Sequence, residues 1–246
     1  MKGLLVRCGI DSEYGHWNAP YDPVTHEFIY MPIPEHHEFL PGLETIYDEI
    51  IPDLKRFADS KHLHIHNDLG FPKILLGYGM HLDPDFAHLT YGDNGQKLGM
   101  EVTKLERGDF LAFYTGLKPV YTVKDRLVYA LIGLYIIDEI LCTSKVLADR
   151  RFENAHTRKR MMSSGDIVVR AIPRSSGRLD KAIPIGEWRD NAYRVRNDLL
   201  DAWGGLSVKN GYITRSRVPP KFINPQKFLN WFEKLDVKLI DKNNLR

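Results

Sequence analysis

The segment LVYALIGLYIIDEIL, residues 127–141, contains the longest apolar run of the chain, Leu131 to Ile137. Its branched and aromatic residues predict a long buried strand, or two strands with a bulge at Gly133. The run is far short of the roughly 20 apolar residues that cross a bilayer. Upstream, Gly108-Asp109 opens a second strand, FLAFY, and Gly116-Leu117-Lys118-Pro119 closes it. Strands this apolar place a sheet at the centre of the fold.

The flanking segments fill in the rest. Residues 3–8 form a short apolar strand that delivers the polar turn Gly9-Ile10-Asp11-Ser12. Residues 27–31 are strand-like and are stopped by Pro32 and Pro34. Residues 43–59 carry apolar positions at helical spacing, with Pro52 as a break or restart. Residues 61–95 are irregular, and a long irregular stretch inside a compact domain is more often functional than idle. Beyond them the pattern predicts a charged helix over 144–162, a strand over 167–172 and a helix over 187–203. A short amphipathic helix over 225–235 and a frayed tail, DKNNLR, follow. No repeat or linker interrupts this order, so the expectation is a single α+β domain, 1–246, with a mixed central sheet or a small barrel and flanking helices.

Composition narrows the function classes. Of the 246 residues, 27% are charged and 43% hydrophobic, which excludes collagen-like, mucin-like and wholly disordered chains. A net charge of +2 does not point to a polyanion partner, so any such surface has to be local. The two cysteines, Cys8 and Cys142, sit in strand-like segments and exclude a disulfide scaffold or a four-cysteine zinc site. They fit buried thiols in a reducing cytoplasm. The N-terminal apolar core is three residues long and is followed by Arg7 and Asp11, unlike a signal peptide.

Several groups of residues have the chemistry for a site. In Met80-His81-Leu82-Asp83-Pro84-Asp85-Phe86, an extended backbone would point His81, Asp83 and Asp85 the same way, able to hold a divalent metal or to pair a base with a carboxylate. Asp-Pro-Asp is also a common turn initiator, and on that ground alone turn chemistry leads. His62, His64 and His66 alternate in HLHIH, which on a strand is a metal-ligating geometry, although three solvent-facing imidazoles need no ligand. Between Arg150 and Arg178, eight cations (Arg150, Arg151, Arg158, Lys159, Arg160, Arg170, Arg174 and Arg178) face only Glu153 and Asp166. That local excess of six charges is what a phosphate-binding surface requires, and charge runs are otherwise solvated helix faces. Among the strand aromatics, Tyr114 is the best placed to stack a base, while most of its neighbours read as core. Ser175-Ser176-Gly177 forms a candidate anion-binding turn after Arg174.

Taken together, these pieces resemble the third of the nucleotide modification associated domain families, found in prokaryotes and phages. The matching segments are Gly9-Ile10-Asp11-Ser12, Met31-Pro32-Ile33-Pro34-Glu35, His81-Leu82-Asp83-Pro84-Asp85 and Gly108-Asp109-Phe110-Leu111. The Ile132-Gly133 strand, Asn154-Ala155-His156 and Thr214-Arg215-Ser216 complete the set. The chain departs from the family form at Arg7-Cys8, where a Ser-Arg-Lys run is usual. The resemblance implies an association with DNA base modification or its processing, in restriction or phage-conflict settings. The middle of the chain, GDFLAFYTG with YALIGLYIIDEI, is also similar to PUA-like barrels such as the EVE and YTH modules, which bind modified bases.

Two functions follow as expectations. The first is a cytoplasmic protein that binds nucleic acid, with DNA the expected partner, or a modified nucleotide. Tyr114, Arg158, Arg160, Arg174, Ser175, Arg215 and Ser216 would make the contacts. The alternative is an enzyme acting on a nucleotide or base, with or without a divalent metal, through Asp11, His81, Asp83, Asp85 and His156. The first ranks narrowly ahead on sequence alone. A plain interaction domain, with these residues serving as turns and solvated charges, ranks third.

Overall fold

The computed structural model describes residues 1–95, 99–121, 126–214 and 218–244. Twelve strands occur in the described chain. They are β1 (Gly3–Arg7), β2 (Pro20–Tyr21), β3 (Ile33–Pro34), β4 (Met80–His81), β5 (Thr90–Asp93), β6 (Phe110–Pro119), β7 (Val128–Cys142), β8 (Ile167–Ala171), β9 (Gly177–Pro184), β10 (Gly186–Arg189), β11 (Ala192–Val195) and β12 (Leu239–Ile240). Four α-helices, α1 (Ile51–Asp59), α2 (Ala155–Arg158), α3 (Asn197–Trp203) and α4 (Pro225–Phe232), join them with short 3-10 turns.

The two apolar segments are the neighbouring central strands β6 and β7. The sheet runs β1-β6-β7-β8-β5, with β2 beside β6, β9 beside β7 and β12 beside β9. β1 is parallel to β6, placing Leu4 opposite Leu111 and Val6 opposite Phe113. β6 and β7 are antiparallel. At 15 residues β7 is long enough to carry two partners along its other edge. Ala130 faces Pro184 of β9, and Leu141 faces Val168 of β8. Phe113 faces Gly133 while Tyr114 faces Leu131, so Ile132 is the extra residue of a bulge beside the expected glycine.

The sheet is mixed, as in an α+β fold, and the described strands do not close into a barrel. The outer edge of β1 is taken by a connecting segment instead of another strand: Leu5 donates to the Pro220 carbonyl, and Phe222 donates to the Gly3 carbonyl. That segment covers an edge that would otherwise be open.

Alternation with a period of two gives the sheet two apolar faces. Leu4, Val6, Leu111, Phe113 and Ile132 face one core, which the N-terminal loops, α1 and the 80–91 segment cover. Leu5, Phe110, Ala112, Tyr114 and Leu131 face the other, filled by Trp203 of α3 and by Phe228 and Phe232 of α4. Pro52 lies in the first turn of α1, so it restarts the helix. Asn224 caps α4, accepting from the Lys227 N–H at 3.1 Å ahead of Pro225.

Four local expectations are corrected. Residues 187–203 form a hairpin, β10–β11, before α3, because Asp190 and Asn191 take φ values of 50° and 57° and reverse the chain. Residues 144–162 hold 3-10 turns and the four-residue α2, not one helix. The HLHIH segment is a series of turns, and His62 adopts φ 57°. The tail is anchored: Asn243 accepts from the Phe86 N–H at 2.8 Å, and Asn244 accepts from the Tyr30 N–H at 2.8 Å. Among the described residues no helix is long and apolar enough to cross a membrane.

Candidate metal centre

β3 and β4 form a short antiparallel pair with Ile33 opposite His81. Glu35, just past β3, is thereby brought beside His81. The buried Glu35 carboxylate accepts the His36 and His37 N–H groups on Oε1, at 2.8 and 2.9 Å. Its Oε2 lies 2.6 Å from His81 Nδ1. Burial opposes the Glu35 charge, but the bond to His81 and these N–H groups prevail and lower its pKa to about 2. With Nδ1 engaged, His81 keeps Nε2 for a ligand.

Asp83 follows two residues later. Its Oδ1 accepts the Gly92 N–H of β5 at 2.7 Å and Asn154 Nδ2 at 2.9 Å. Both bonds fall on Oδ1, and the described residues place none on Oδ2. The residue is half-buried, and the desolvation of its carboxyl raises its pKa to about 7 against the opposing pull of His81 and the two donors.

His156 arrives from the other half of the chain, on α2. Asn154 caps that turn, accepting the His156 N–H on Oδ1 at 2.9 Å. A single buried amide therefore holds Asp83 with one end and the His156 backbone with the other. The imidazole lies over Gly92, where a methyl group would collide with its Cδ2 and Cγ. Its Nδ1 is 3.2 Å from Asp166 Oδ2. The angle does not make this a hydrogen bond, and both buried atoms lack such a partner. Burial lowers the His156 pKa to about 4, so the ring is neutral at pH 7, the form that binds metals.

One ligand atom each from His81, Asp83 and His156 lie within 4.8 Å of one another. The two rings sit edge to face with centroids 5.0 Å apart. Two imidazoles and a carboxylate, with His81 and Asp83 oriented by hydrogen bonds and His156 held through its capped backbone, are a donor set for a divalent transition metal.

The remaining predicted residues go elsewhere. Asp85 belongs to a separate buried cluster, bonded to Arg158 Nη2 at 2.6 Å, His88 Nδ1 at 2.8 Å and Asn243 Nδ2 at 3.0 Å. The expected alternation stops at Pro84, and for Asp85 turn chemistry with an ion pair prevails. Asp11 accepts the Glu13 and Tyr14 N–H groups, both at 2.8 Å, and pairs with Arg7 at 2.7 Å. Tyr114 is fully buried and donates to the Ile213 carbonyl, so no ring face is open to a base. Arg158 is buried with Asp85, and Arg160 pairs with Glu38 at 3.0 Å. Arg170 bonds Glu153 and Glu139, each at 2.6 Å, and Arg150 pairs with Glu153 at 3.0 Å. Much of the basic stretch is thus matched internally. Arg174 and Ser175 occupy an exposed turn between β8 and β9. Arg215 and Ser216 lie outside the described residues.

Sequence reasoning did not assign Glu35, Gly92, Asn154 or Asp166 to the centre. Glu35 and Asn154 stood inside recognised segments, and that was the available signal. Gly92 and Asp166 carried none.

No curated protein and no solved structure matches the chain. The family model for nucleotide modification associated domain 3 matches residues 2–211. That span includes every residue of the metal centre and most of the sheet, and the chain belongs to the nucleotide modification associated domain 3 family.

Proposed function

We propose that this protein is a metal-dependent enzyme acting on a nucleotide or on a base in nucleic acid, with DNA the expected macromolecular substrate. One observation carries the reading: His81, Asp83 and His156, brought together across the chain, offer ligand atoms within 4.8 Å of one another. Three protein ligands leave coordination positions open, as catalytic sites do and closed structural sites do not. The donor types suit zinc, iron(II), manganese(II) or cobalt(II). An ion held there would polarise an oxygen or activate bound water. Glu35 fixes the His81 ring, Asn154 fixes Asp83 and α2, and Asp166 stands behind His156. Family membership supplies the link to nucleotide modification. This order reverses the ranking from sequence alone, because much of the basic stretch that favoured binding is spent on internal carboxylates. On the strength of the resemblance we place the activity in restriction or phage-conflict settings, and on the two free cysteines, Cys8 and Cys142, in the cytoplasm.

The test is metal content and metal affinity of the purified full chain, with turnover of nucleotides and DNA followed in parallel. His81→Ala, Asp83→Ala and His156→Ala are expected to lose affinity by about 100-fold or more, and to lose turnover, while circular dichroism stays unchanged. Variants that hold metal as tightly as the parent would end the reading.

A further inference from the structure

Lys159 is a buried cation that the metal centre does not explain. It follows α2 on an extended segment whose backbone is tied on both sides. Leu40 donates to the Arg158 carbonyl at 2.7 Å, Arg160 donates to the Glu38 carbonyl at 2.8 Å, and Phe39 is bridged to Lys159 itself. The side chain is only 8% exposed. Its Nζ lies 3.8 Å from Asp166 Oδ2, the same oxygen that stands 3.2 Å from His156 Nδ1, which places the ammonium beside the cluster.

An ammonium carries three donors, and burying one is costly unless they are used. Among the described residues, Lys159 Nζ has one charge pairing, to Asp166 Oδ2 at 3.8 Å, which is too long for a hydrogen bond. Glu35 is committed to His81 and two backbone N–H groups, Asp83 uses Oδ1 for Gly92 and Asn154, and among the described residues neither carboxylate bonds Lys159. The donors of Lys159 therefore remain available next to the ligand set.

We infer that Lys159 holds a phosphate of the substrate, receiving a phosphate oxygen on Nζ while the metal faces the reacting part of the same molecule. This rests on the metal-centre reading for its place in the reaction. Phosphate is the anion that every nucleotide and every nucleic-acid strand carries, and lysine binds it as a point charge. Its source is either a free nucleotide or a strand backbone. The competing role is purely internal: Lys159 would only offset Glu35 and Asp166 and so adjust the two imidazoles.

Calorimetric titration of the manganese-loaded full chain separates these roles. The probes are the four 2′-deoxynucleoside 5′-monophosphates, the matching nucleosides, inorganic phosphate and a short single-stranded oligonucleotide. The parent is expected to bind at least one monophosphate about tenfold more tightly than its nucleoside. Lys159→Met should lose that preference and keep manganese affinity within about threefold, and Lys159→Arg should retain most of the preference. Tighter binding of the oligonucleotide than of any monophosphate assigns the phosphate to a strand, and the reverse assigns it to a free nucleotide. The inference is overturned if the parent shows no phosphate preference, if Lys159→Met keeps it, or if that variant loses manganese as strongly as phosphate. Should the parent bind none of manganese, cobalt(II), iron(II) and zinc, the metal reading falls, and the same titrations on the metal-free chain decide Lys159 alone. Melting curves of each variant report folding, and Lys159→Arg retains the charge if the methionine variant does not fold.

Discussion

At the scale of single residues, Asn154 links the two halves of the candidate metal centre. It is fully buried and uses its amide to orient Asp83 while capping the turn that carries His156. Asn154→Ala removes both bonds together, so metal affinity should fall by about 10- to 100-fold. Stability should fall by roughly 1–3 kcal/mol from the orphaned partners. Isothermal titration and urea unfolding read the two effects separately, and unchanged metal affinity would show that Asp83 and His156 are oriented without it. Asp83 itself works against the metal-free fold. Its pKa is about 7 in the native state, against roughly 3.9 unfolded, so the native state binds the extra proton. That contribution to stability is complete below about pH 4 and is lost as pH rises through about 7. Asp83→Asn cannot ionise, so the chelated variant should melt above the parent near pH 8 and close to it near pH 4. A variant melting below the parent at the higher pH would contradict this sign. The three candidate ligands stood among the residues the sequence offered for a site: His81 and Asp83 by alternation, against a turn reading that led on spacing alone, and His156 by its motif. Their supports were not, because Asn154 lies 71 positions from Asp83 and only the fold joins them.

Among the elements, the bulge between β6 and β7 is where the sequence spoke most clearly. The apolar run around a single glycine offered one long strand, or two strands with a bulge at Gly133, and β7 is one strand with the extra residue at the neighbouring Ile132. Gly133 is needed because a methyl group there would meet the Phe86 ring and the Gly177 carbonyl. Gly133→Ala should therefore destabilise the fold by about 1–3 kcal/mol through overpacking, read as a lower urea midpoint. An unchanged midpoint would mean that Phe86 has room to move. Elements failed to be legible where two patterns competed. Trp188, Tyr193, Val195 and Leu199 satisfy helical spacing, but Asp190-Asn191 is also a two-residue hairpin turn, and the turn prevailed. Over 144–162 the charges resemble a solvated helix face. Arg150, Arg158 and Arg160 instead meet carboxylates, two of them distant in sequence: Arg158 with Asp85 and Arg160 with Glu38. Charge composition reports how many ions there are, not where their partners fold to.

For the molecule as a whole, the question is how a ligand loop with little regular structure is held in place, and the answer reaches the last residues. Asn243 bonds the Phe86 N–H and Asp85. Asn244, buried at 4% exposure, bonds both the N–H and the carbonyl of Tyr30. Tyr30 in turn donates to the Pro84 carbonyl at 2.9 Å and packs its ring edge-on against Phe86. The tail thus grips the loop directly beyond Asp83 from two sides, although its composition, DKNNLR, predicts fraying. Ending the chain after Lys242 removes four hydrogen bonds and strands the Tyr30 backbone in the core. A loss of about 3–5 kcal/mol is expected, since buried polar groups left alone cost roughly 1–3 kcal/mol each. Among the described residues, neither Asn243 nor Asn244 lies in a strand of the sheet, so the truncated chain should still unfold cooperatively. Asp85 keeps Arg158 and His88, so the 83–86 turn should loosen without coming apart. Metal affinity, measured at a temperature where the truncated chain is fully folded, should then drop about threefold to tenfold, less than for loss of Asn154, which touches the ligands themselves. A truncated protein that loses stability but binds metal as tightly as the parent would make the tail a clamp on the core alone. One that loses neither would show that Tyr30 and Phe86 hold the loop unaided.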